Sequence, residues 1–144
     1  MWVSLPLPRL VSSVLAGLID GRIQVISTTS WTVERTLEGH GDVVWSLVMC
    51  GSSLVSGSDD DGTIGVWSTA TWTCERTLEG HTSAVRALTT VSDKLVSGSN
   101  DRTIKVWDTR SWACERTLTE HTTWIYALAS TPDGGKLFSC SDDS

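Results

Sequence analysis

The sequence has little of several residue types on which whole classes of proteins depend. Four Cys are too few for a disulfide scaffold, and they include no Cys-x-x-Cys pair of the kind that zinc sites use. The 11 basic residues are outnumbered by 17 acidic ones, and the net charge of −6 argues against binding to nucleic acid. Beyond the N-terminus, no uncharged apolar run reaches the roughly 18 residues of a membrane-spanning helix. We therefore expect an intracellular, cytoplasmic protein with no cofactor, metal, nucleic-acid or membrane ligand.

The N-terminal segment is the one strongly apolar stretch. Residues 1–17, MWVSLPLPRLVSSVLAG, are apolar enough to resemble a secretory signal. However, no positive charge precedes Arg9, and Pro6 and Pro8 fall where the apolar helix of a signal should form. We therefore favour the interpretation that this segment is part of the folded chain.

Tryptophan is the abundant aromatic residue, with eight copies against one Phe and one Tyr. The tetrapeptide ERTL occurs at 34–37, 75–78 and 115–118, so the chain repeats itself about every 41 residues, a period typical of stacked structural units. Each copy has a Trp three residues before its Glu and a His three residues after its Leu. These residues are Trp31, Trp72 and Trp112, and His40, His81 and His121.

Hydrophobic residues alternate with a step of two inside each period. In TIKVW, Ile104 and Val106 lie on one side and Lys105 and Trp107 on the other, which is typical of a β-strand. Four such runs fit one period, namely VRALTTV, KLVSGS, TIKVW and ACERTL. They predict a sheet of four short antiparallel strands. Because one such sheet cannot bury its faces alone, the repeats are expected to stack radially into a propeller.

The spacing of the repeated polar residues resembles that of the WD-repeat β-propellers. In that family a Gly-His pair is followed by Ser-Gly-Ser, an Asp-containing turn and a strand that ends in Trp-Asp. The resemblance covers nearly the whole chain, and it implies an all-β fold whose propeller blades have four antiparallel strands. The matching residues are His81, Asp101, Trp107 and Asp108 in one unit, and His40, Asp61 and Trp67 in another, where Ser68 replaces the final Asp.

The WD-repeat region is expected to span residues 1–144 and to form an open or incomplete ring. Its predicted units are a degenerate partial repeat at 1–38, repeats at 39–79 and 80–119, and a truncated repeat at 120–144. About three and a half blades fall short of the four that the smallest closed propellers have.

The two terminal units depart from the repeat pattern. In the first, DGRIQVISTTSW aligns without a gap on DGTIGVWSTATW, which places Ile26 on Trp67. That unit has no convincing innermost strand, unless the Pro-interrupted MWVSLPLP forms a poor one. The last unit reaches FSCSDDS and stops before its third strand. In principle, the two ends could combine into one hybrid blade.

The resemblance implies that the repeated polar residues form one hydrogen-bonded chain within each blade. An imidazole needs a partner at each ring nitrogen, and a buried indole N–H needs an acceptor. The chain is expected to be structural. Its members would be His40, Ser56 or Ser58, Asp61 and Trp67 in one blade, and His81, Ser97 or Ser99, Asp101 and Trp107 in the next.

Ser, His and Asp also make a catalytic triad, but an enzyme needs one such site and the set recurs in at least two blades. A partial third copy is predicted at His121, Ser139 or Ser141, and Asp143. We therefore expect no catalytic residue. Symmetry also places the three His on separate blades, so we do not expect them to share a zinc ion. By their regular recurrence we expect two further sets to be structural: the buried thiols of Cys74 and Cys114, and the outer-strand residues Trp31, Trp72 and Trp112.

Repeat positions that differ between units are better binding candidates than those that stay the same. Three to five residues after the repeated His, an apolar position expected to pack between blades (Val44, Val85, Ile125) is flanked by variable ones. By resemblance, the variable residues surround the top mouth of the central channel, together with the residues before each turn Asp. An alternative is that Trp45 and Trp124 fill space between blades. The candidate partner-binding residues are Trp45, Arg86, Trp124, Tyr126, Asp60 and Asn100, with Asp142 as the third pre-turn residue.

The resemblance favours a non-catalytic interaction scaffold or adaptor that binds a protein or peptide on the top face. Its families serve in signalling, in ubiquitin ligase adaptors and in chromatin or trafficking assemblies. An alternative is a structural propeller fragment that completes a ring by self-association or with another chain. A third class, an enzyme of the propeller type, is disfavoured by the repetition of the Ser, His and Asp residues.

Overall fold

The computed structural model describes residues 13–59 and 62–143, and every regular element in these ranges is a β-strand. The strands pair antiparallel in chain order and form four sheets. This confirms the predicted all-β fold of four-stranded blades that do not close into a ring. The strands are β1 Ser13–Gly17, β2 Ile23–Ser27, β3 Val33–Leu37, β4 Val44–Cys50, β5 Ser53–Ser58, β6 Ile64–Ser68, β7 Cys74–Leu78, β8 Val85–Val91, β9 Lys94–Ser99, β10 Ile104–Asp108, β11 Cys114–Leu118, β12 Ile125–Ser130 and β13 Leu137–Ser141.

We call the four sheets blades 1 to 4. Blade 1 contains β1 to β3, blade 2 contains β4 to β7, blade 3 contains β8 to β11, and blade 4 contains β12 and β13. In the complete blades 2 and 3 the first strand is innermost, and the innermost strands β4, β8 and β12 lie side by side. The blades therefore stack around one axis.

The described part of the first unit forms three strands. β2 has the place in blade 1 that β6 has in blade 2, so Ile26 stands where Trp67 stands. The innermost strand that we considered for MWVSLPLP lies outside the described residues.

Glycine in the second strand of blades 2 and 3 sets the distance to the next blade. A Cβ atom at Gly57 would lie 2.7 Å from Val85 Cγ1, and one at Gly98 would lie 2.5 Å from Ile125 Cγ2. Real Cβ atoms do not approach other atoms so closely, so the innermost strand of one blade packs directly on the glycine backbone of the blade before it.

The core repeats with the blades as a set of tryptophan sockets. Each socket receives the Trp of a third strand, and its walls come from that blade and the preceding one. Trp107 is only 2% exposed in its socket. A Cβ atom at Gly80 would lie 3.2 Å from Trp107 Cη2, and one at Gly39 would lie 2.7 Å from Trp67 Cη2. Ile23, Leu37, Val44 and Leu54 surround Trp67, and the equivalent Ile64, Leu78, Val85 and Leu95 belong to the cluster of Trp107.

The outer strands are less buried than the repeated cysteines led us to expect. Cys74 and Cys114 are exposed, so the expectation of buried thiols was wrong. Both lie in a fourth strand, whose outer edge has no pairing strand among the described residues. A residue can therefore recur in every blade without being in the core.

Three tryptophans precede the outer strands, namely Trp31, Trp72 and Trp112. All three have left-handed backbone conformations, with φ between 55° and 61°. Each N–H donates to the carbonyl oxygen four residues earlier and closes the turn between the third and fourth strands. Trp72 and Trp112 also pack against the core, whereas Trp31 in blade 1 is 72% exposed.

Candidate functional site

The polar residues of blade 3 form a continuous hydrogen-bonded chain from its turn to its third strand. Trp107 Nε1 donates to Ser97 Oγ at 2.9 Å, and Ser97 Oγ lies 2.7 Å from His81 Nε2. His81 Nδ1 lies 2.7 Å from Asp101 Oδ2. The chain links four segments of one blade, and its His81 side chain is fully buried.

The chemistry of its two ends fixes the direction of this chain. An indole N–H can only donate and an ionised carboxylate can only accept. His81 Nδ1 therefore carries the proton that is donated to Asp101, and in the neutral imidazole His81 Nε2 accepts the hydroxyl proton of Ser97. Burial favours the neutral acid of Asp101, but hydrogen bonds from His81 and Thr103 outweigh it and hold the pKa of Asp101 well below its usual range.

Blade 2 repeats the buried half of the chain. Trp67 Nε1 donates to Ser56 Oγ at 2.7 Å, and Ser56 Oγ lies 2.6 Å from His40 Nε2. The predicted partner Asp61 lies outside the described residues. Of the two serines that the sequence left open in each blade, the first joins the chain. The second, Ser58, donates to backbone carbonyl oxygens before the innermost strand, as Ser99 does in blade 3.

Blade 4 contains the same residues without an indole donor among the described residues. His121 Nε2 lies 2.7 Å from Ser139 Oγ, and His121 Nδ1 lies 2.8 Å from Asp143 Oδ2. This copy is more exposed than that of blade 3, because no third strand covers β13 in the part of the chain that the structure describes.

Three of the predicted binding residues lie at bulges of the innermost strands. The pairing register jumps from Val44 to Ser46 in β4, and the equivalent jump occurs in β8 and β12. A bulge leaves one residue unpaired and re-aims its side chain. The bulged residues are Trp45, Arg86 and Tyr126, three of the predicted binding residues.

Arg86 joins side chains from three successive blades. Its guanidinium carbon lies 4.0 Å from the ring centroid of Trp45 and 5.8 Å from that of Trp124. Its Nε donates to Asn100 Oδ1 at 3.0 Å, which holds the planar group in place. Such cation–π contacts favour a fixed, stacked arrangement. The structure thus brings together four residues that the sequence placed in three different repeats.

Aromatic and acidic groups surround this cation. Trp124 meets Tyr126 edge to face, and the Tyr126 hydroxyl donates to Asp142 Oδ2 at 2.9 Å. That hydrogen bond to a carboxylate raises the pKa of Tyr126. Trp45, Trp124 and Tyr126 are 44%, 47% and 40% exposed, so they are not filling space inside the fold. Of the predicted set, Asp60 lies outside the described residues.

Two further residues belong to this surface but were not among our sequence candidates. Asp59 accepts a hydrogen bond from Trp45 Nε1 at 3.4 Å. Arg102 lines an open pocket of about 360 Å³ together with Trp124, Tyr126 and Asp142. Its φ of 71° places it at a tight turn. The signal available in the sequence was their position in the turn after the second strand, within two residues of Asp60 and Asn100. We call the surface formed around Arg86 by Trp45, Asp59, Asn100, Arg102, Trp124, Tyr126 and Asp142 the rim.

Comparison with protein families gives one match. The family model described as "WD domain, G-beta repeat" matches residues 31–68, 72–108 and 112–144, which is most of the chain. The chain belongs to the WD40 repeat family. Each matched WD40 segment begins near the outermost strand of one blade and continues into the next blade, so the sequence repeat is offset from the blade. Comparison with curated proteins gives no match.

The Ser, His and Asp residues of this WD40 chain are arranged for hydrogen bonding within a blade. Ser56 and Ser97 are fully buried, and each Oγ accepts an indole N–H, so neither hydroxyl can reach a substrate. WD40 proteins are generally non-catalytic scaffolds. Among residues 13–59 and 62–143 no cluster of His, Cys, Asp or Glu could hold a metal ion. The same residues include no helix with the length and apolar character to cross a bilayer.

Proposed function

We propose that this WD40 chain is a non-catalytic intracellular adaptor that binds a protein or peptide at the rim. WD40 repeats generally mediate protein–protein interaction, which supports the class of function. The observation that carries the proposed site is the position of Arg86 between two exposed indoles from different blades. Trp, Tyr and Arg are the residues most often found at binding hot spots.

The charge around the rim favours a basic or amide-rich partner segment. Arg86 is already stacked on Trp45 and hydrogen-bonded to Asn100, so its charge is partly satisfied within the chain. The more open aromatic surface is that of Trp124 and Tyr126, and both the Asp142 carboxylate and the Arg102 side chain line the same pocket. A Lys or Arg side chain, or an amide group, could lie against these rings and bind the carboxylate.

The proposed site predicts a selective loss of binding in rim variants. We expect an array of fluorescent peptides to show that basic and amide-rich sequences bind better than acidic ones. Trp124→Ala and Arg86→Ala are expected to weaken the best binder by about tenfold or more, because both remove contact area at the centre of the surface. Fluorescence anisotropy titrations measure the change.

A matched control comes from another exposed tryptophan. Trp31 is 72% exposed and lies in the outer part of blade 1, so Trp31→Ala should leave peptide binding unchanged. A preference for acidic peptides, or equal loss in Trp31→Ala and Trp124→Ala, would contradict the proposed rim.

A second candidate function is a propeller fragment that completes a ring with further blades. The exposure of Trp31 on one side favours it, since Trp72 and Trp112 are packed against core residues. On the other side Leu118 is 39% exposed, whereas the equivalent Leu37 and Leu78 are buried. Unpaired strand edges and uncovered apolar faces are typical association surfaces.

If the chain completes a ring by itself, sedimentation velocity is expected to show a stable oligomer. The reason is that uncovered apolar faces on both terminal blades would be buried only in the assembly. A single sedimenting species with the 15.6 kDa mass of one chain would contradict self-association.

A further inference from the structure

Each of the three bulged rim residues donates a hydrogen bond to the residue directly after the second strand of its own blade. In blades 2 and 4 the donor is a neutral indole or phenol, and the acceptor is a carboxylate. In blade 3 the donor is a guanidinium, and the acceptor is a neutral amide. The rim therefore contains a cation that a neutral group holds in place. The three pairs are Trp45 with Asp59, Arg86 with Asn100, and Tyr126 with Asp142.

The guanidinium of Arg86 keeps most of its hydrogen-bond donors. Of its five N–H groups, the one at Nε donates to Asn100 Oδ1 at 3.0 Å. Among residues 13–59 and 62–143, no carboxylate lies within ion-pair distance of Arg86, and no other hydrogen bond joins its side chain to the chain. Its Nη1 and Nη2 groups, which form the end of the guanidinium, are therefore available to a partner.

The charges of the rim are not paired with one another. Two Arg and two Asp side chains lie on this surface, and in the part of the chain that the structure describes no two of them form an ion pair. Both carboxylates accept from neutral groups, so their charges are not cancelled. Neighbouring charges of both signs are complementary to a partner segment that also carries both signs. The four residues are Arg86, Arg102, Asp59 and Asp142.

We propose that Arg86 binds one carboxylate of the partner, from an Asp or Glu side chain within the basic or amide-rich segment. This inference rests on the proposed function and adds a specificity-determining contact to it. Nη1 and Nη2 form a planar fork that can donate to both oxygens of a carboxylate. Because Trp45 and Asn100 already hold the guanidinium, little side-chain freedom is lost when the carboxylate binds.

Asn100 is the residue that keeps this cation available. An Asp at the same position, as Asp59 and Asp142 are in the neighbouring blades, would place a carboxylate beside Arg86 Nε and neutralise the guanidinium within the chain. The amide oxygen orients the guanidinium but carries no charge. Asn100 is therefore a positioning residue for the partner's carboxylate.

The surrounding charge limits the partner to a single acidic group at this point. Asp59 and Asp142 lie on the same surface and the chain has a net charge of −6, so each further negative charge of the partner is repelled. A phosphorylated side chain carries close to two negative charges. It therefore meets more repulsion than the carboxylate of Asp or Glu.

The basic residue of the partner is expected close to this carboxylate along its chain. The ring centroid of Trp124 lies 5.8 Å from the guanidinium carbon of Arg86 and 6.3 Å from the ring centroid of Tyr126. The carboxylate site and the aromatic surface proposed for the cation thus meet at one side chain. In an extended segment this separation corresponds to about two residues.

The test compares three fluorescent peptides that differ at one position. They are GNKAEKNG, GNKAQKNG and GNKASKNG with a phosphorylated Ser. Charge alone would favour the Gln peptide, because it is the most basic of the three. We instead expect the Glu peptide to bind the full chain about tenfold more tightly than the Gln peptide, and more tightly than the phosphopeptide. Fluorescence anisotropy gives the Kd values, and the NMR signal of the Arg86 Nε–H should shift with the Glu peptide.

Two variants remove the proposed contact in different ways. Arg86→Gln removes the guanidinium, whereas Asn100→Asp keeps it and supplies a carboxylate within the chain. Both should abolish the preference for Glu over Gln, whereas Arg102→Gln should retain it. The matched control is Arg110→Gln, which removes an exposed Arg of the same blade from the turn between β10 and β11 and should leave binding unchanged.

The inference would be overturned by tighter binding of the phosphopeptide, by a preference for Glu that survives in Asn100→Asp, or by its loss in Arg102→Gln. Equal binding of the Glu and Gln peptides that Trp124→Ala abolishes would also overturn it, but would leave the proposed function intact. Tightest binding of an acidic peptide, GNEAEENG, would contradict the proposed partner class. Its weakening in Asn100→Asp would still support the contact with Arg86. No binding of any peptide up to about 1 mM would overturn both.

Discussion

Trp107→Ala is expected to lower the free energy of unfolding by about 3–5 kcal/mol, the range for truncation of a core aromatic residue. The indole is almost completely buried and packs between blades 2 and 3. Its removal leaves a cavity beside Leu78 and Val85 and takes the N–H donor away from Ser97. Urea unfolding followed by far-UV circular dichroism measures the loss, because that signal does not depend on tryptophan fluorescence.

The comparison variant is Trp124→Ala, which removes the same side chain from the rim. Trp124 is half-exposed, so its truncation should change the free energy of unfolding by less than about 1 kcal/mol. Arg86→Ala should have a similarly small effect. Equal unfolding midpoints for Trp107→Ala and Trp124→Ala would disprove the division of the tryptophans into core and rim.

Asp101→Ala is expected to cost about 2–3 kcal/mol, as for loss of hydrogen bonds to a charged partner. The carboxylate accepts from His81 Nδ1 and from the Thr82 and Thr103 backbone N–H groups. Without it the buried His81 N–H loses its acceptor, and so do the backbone N–H groups of Thr82, before β8, and Thr103, before β10. Urea unfolding at pH 7 measures the loss.

The same carboxylate gives the fold a predictable acid sensitivity. Because the pKa of Asp101 is lower in the folded chain than in the unfolded chain, its ionised form stabilises the fold above about pH 4. That contribution declines as the pH falls further, towards the folded pKa. The wild-type chain should therefore lose more stability between pH 7 and about pH 3 than Asp101→Ala does.

Asp143→Ala is the comparison variant, since Asp143 accepts hydrogen bonds from His121 and from the Thr122 backbone N–H but has no counterpart of the Thr103 contacts among the described residues. His121 and Asp143 are more exposed than His81 and Asp101, so this variant should lose less stability. An equal loss in the two variants would mean that burial does not determine the strength of these hydrogen-bonded chains.

The repeat explains why so much of the fold could be predicted from the sequence. Strand alternation and the period of about 41 residues define four strands per blade, and the recurrence of Trp67 and Trp107 marks the sockets. These features depend on local pattern and on identical neighbours. Stacking of identical units gives equivalent residues equivalent surroundings.

The features that the sequence could not define depend on particular neighbours. The contact of Arg86 with Trp45 and Trp124 depends on how far side chains reach from one blade to the next. The spacing of residues within one repeat gives no information about that distance. The bulges that direct these residues to the rim leave no clear sequence signal. Cys74 and Cys114 recur as regularly as the core residues, yet the fourth strand leaves both thiols exposed.

The glycines that face the next blade also give the stack a direction. Gly57 and Gly98 allow Val85 and Ile125 to pack directly against their backbones. Blade 4 has Cys140 at the equivalent position, since Cys140 pairs with Ala127 as Gly98 pairs with Ala87. A fifth blade at the same spacing would place its innermost apolar side chain on the Cys140 Cβ and Sγ atoms. On that face blade 4 therefore differs from blades 2 and 3. A further blade could pack there only with a smaller side chain at the contact or at a larger distance from blade 4.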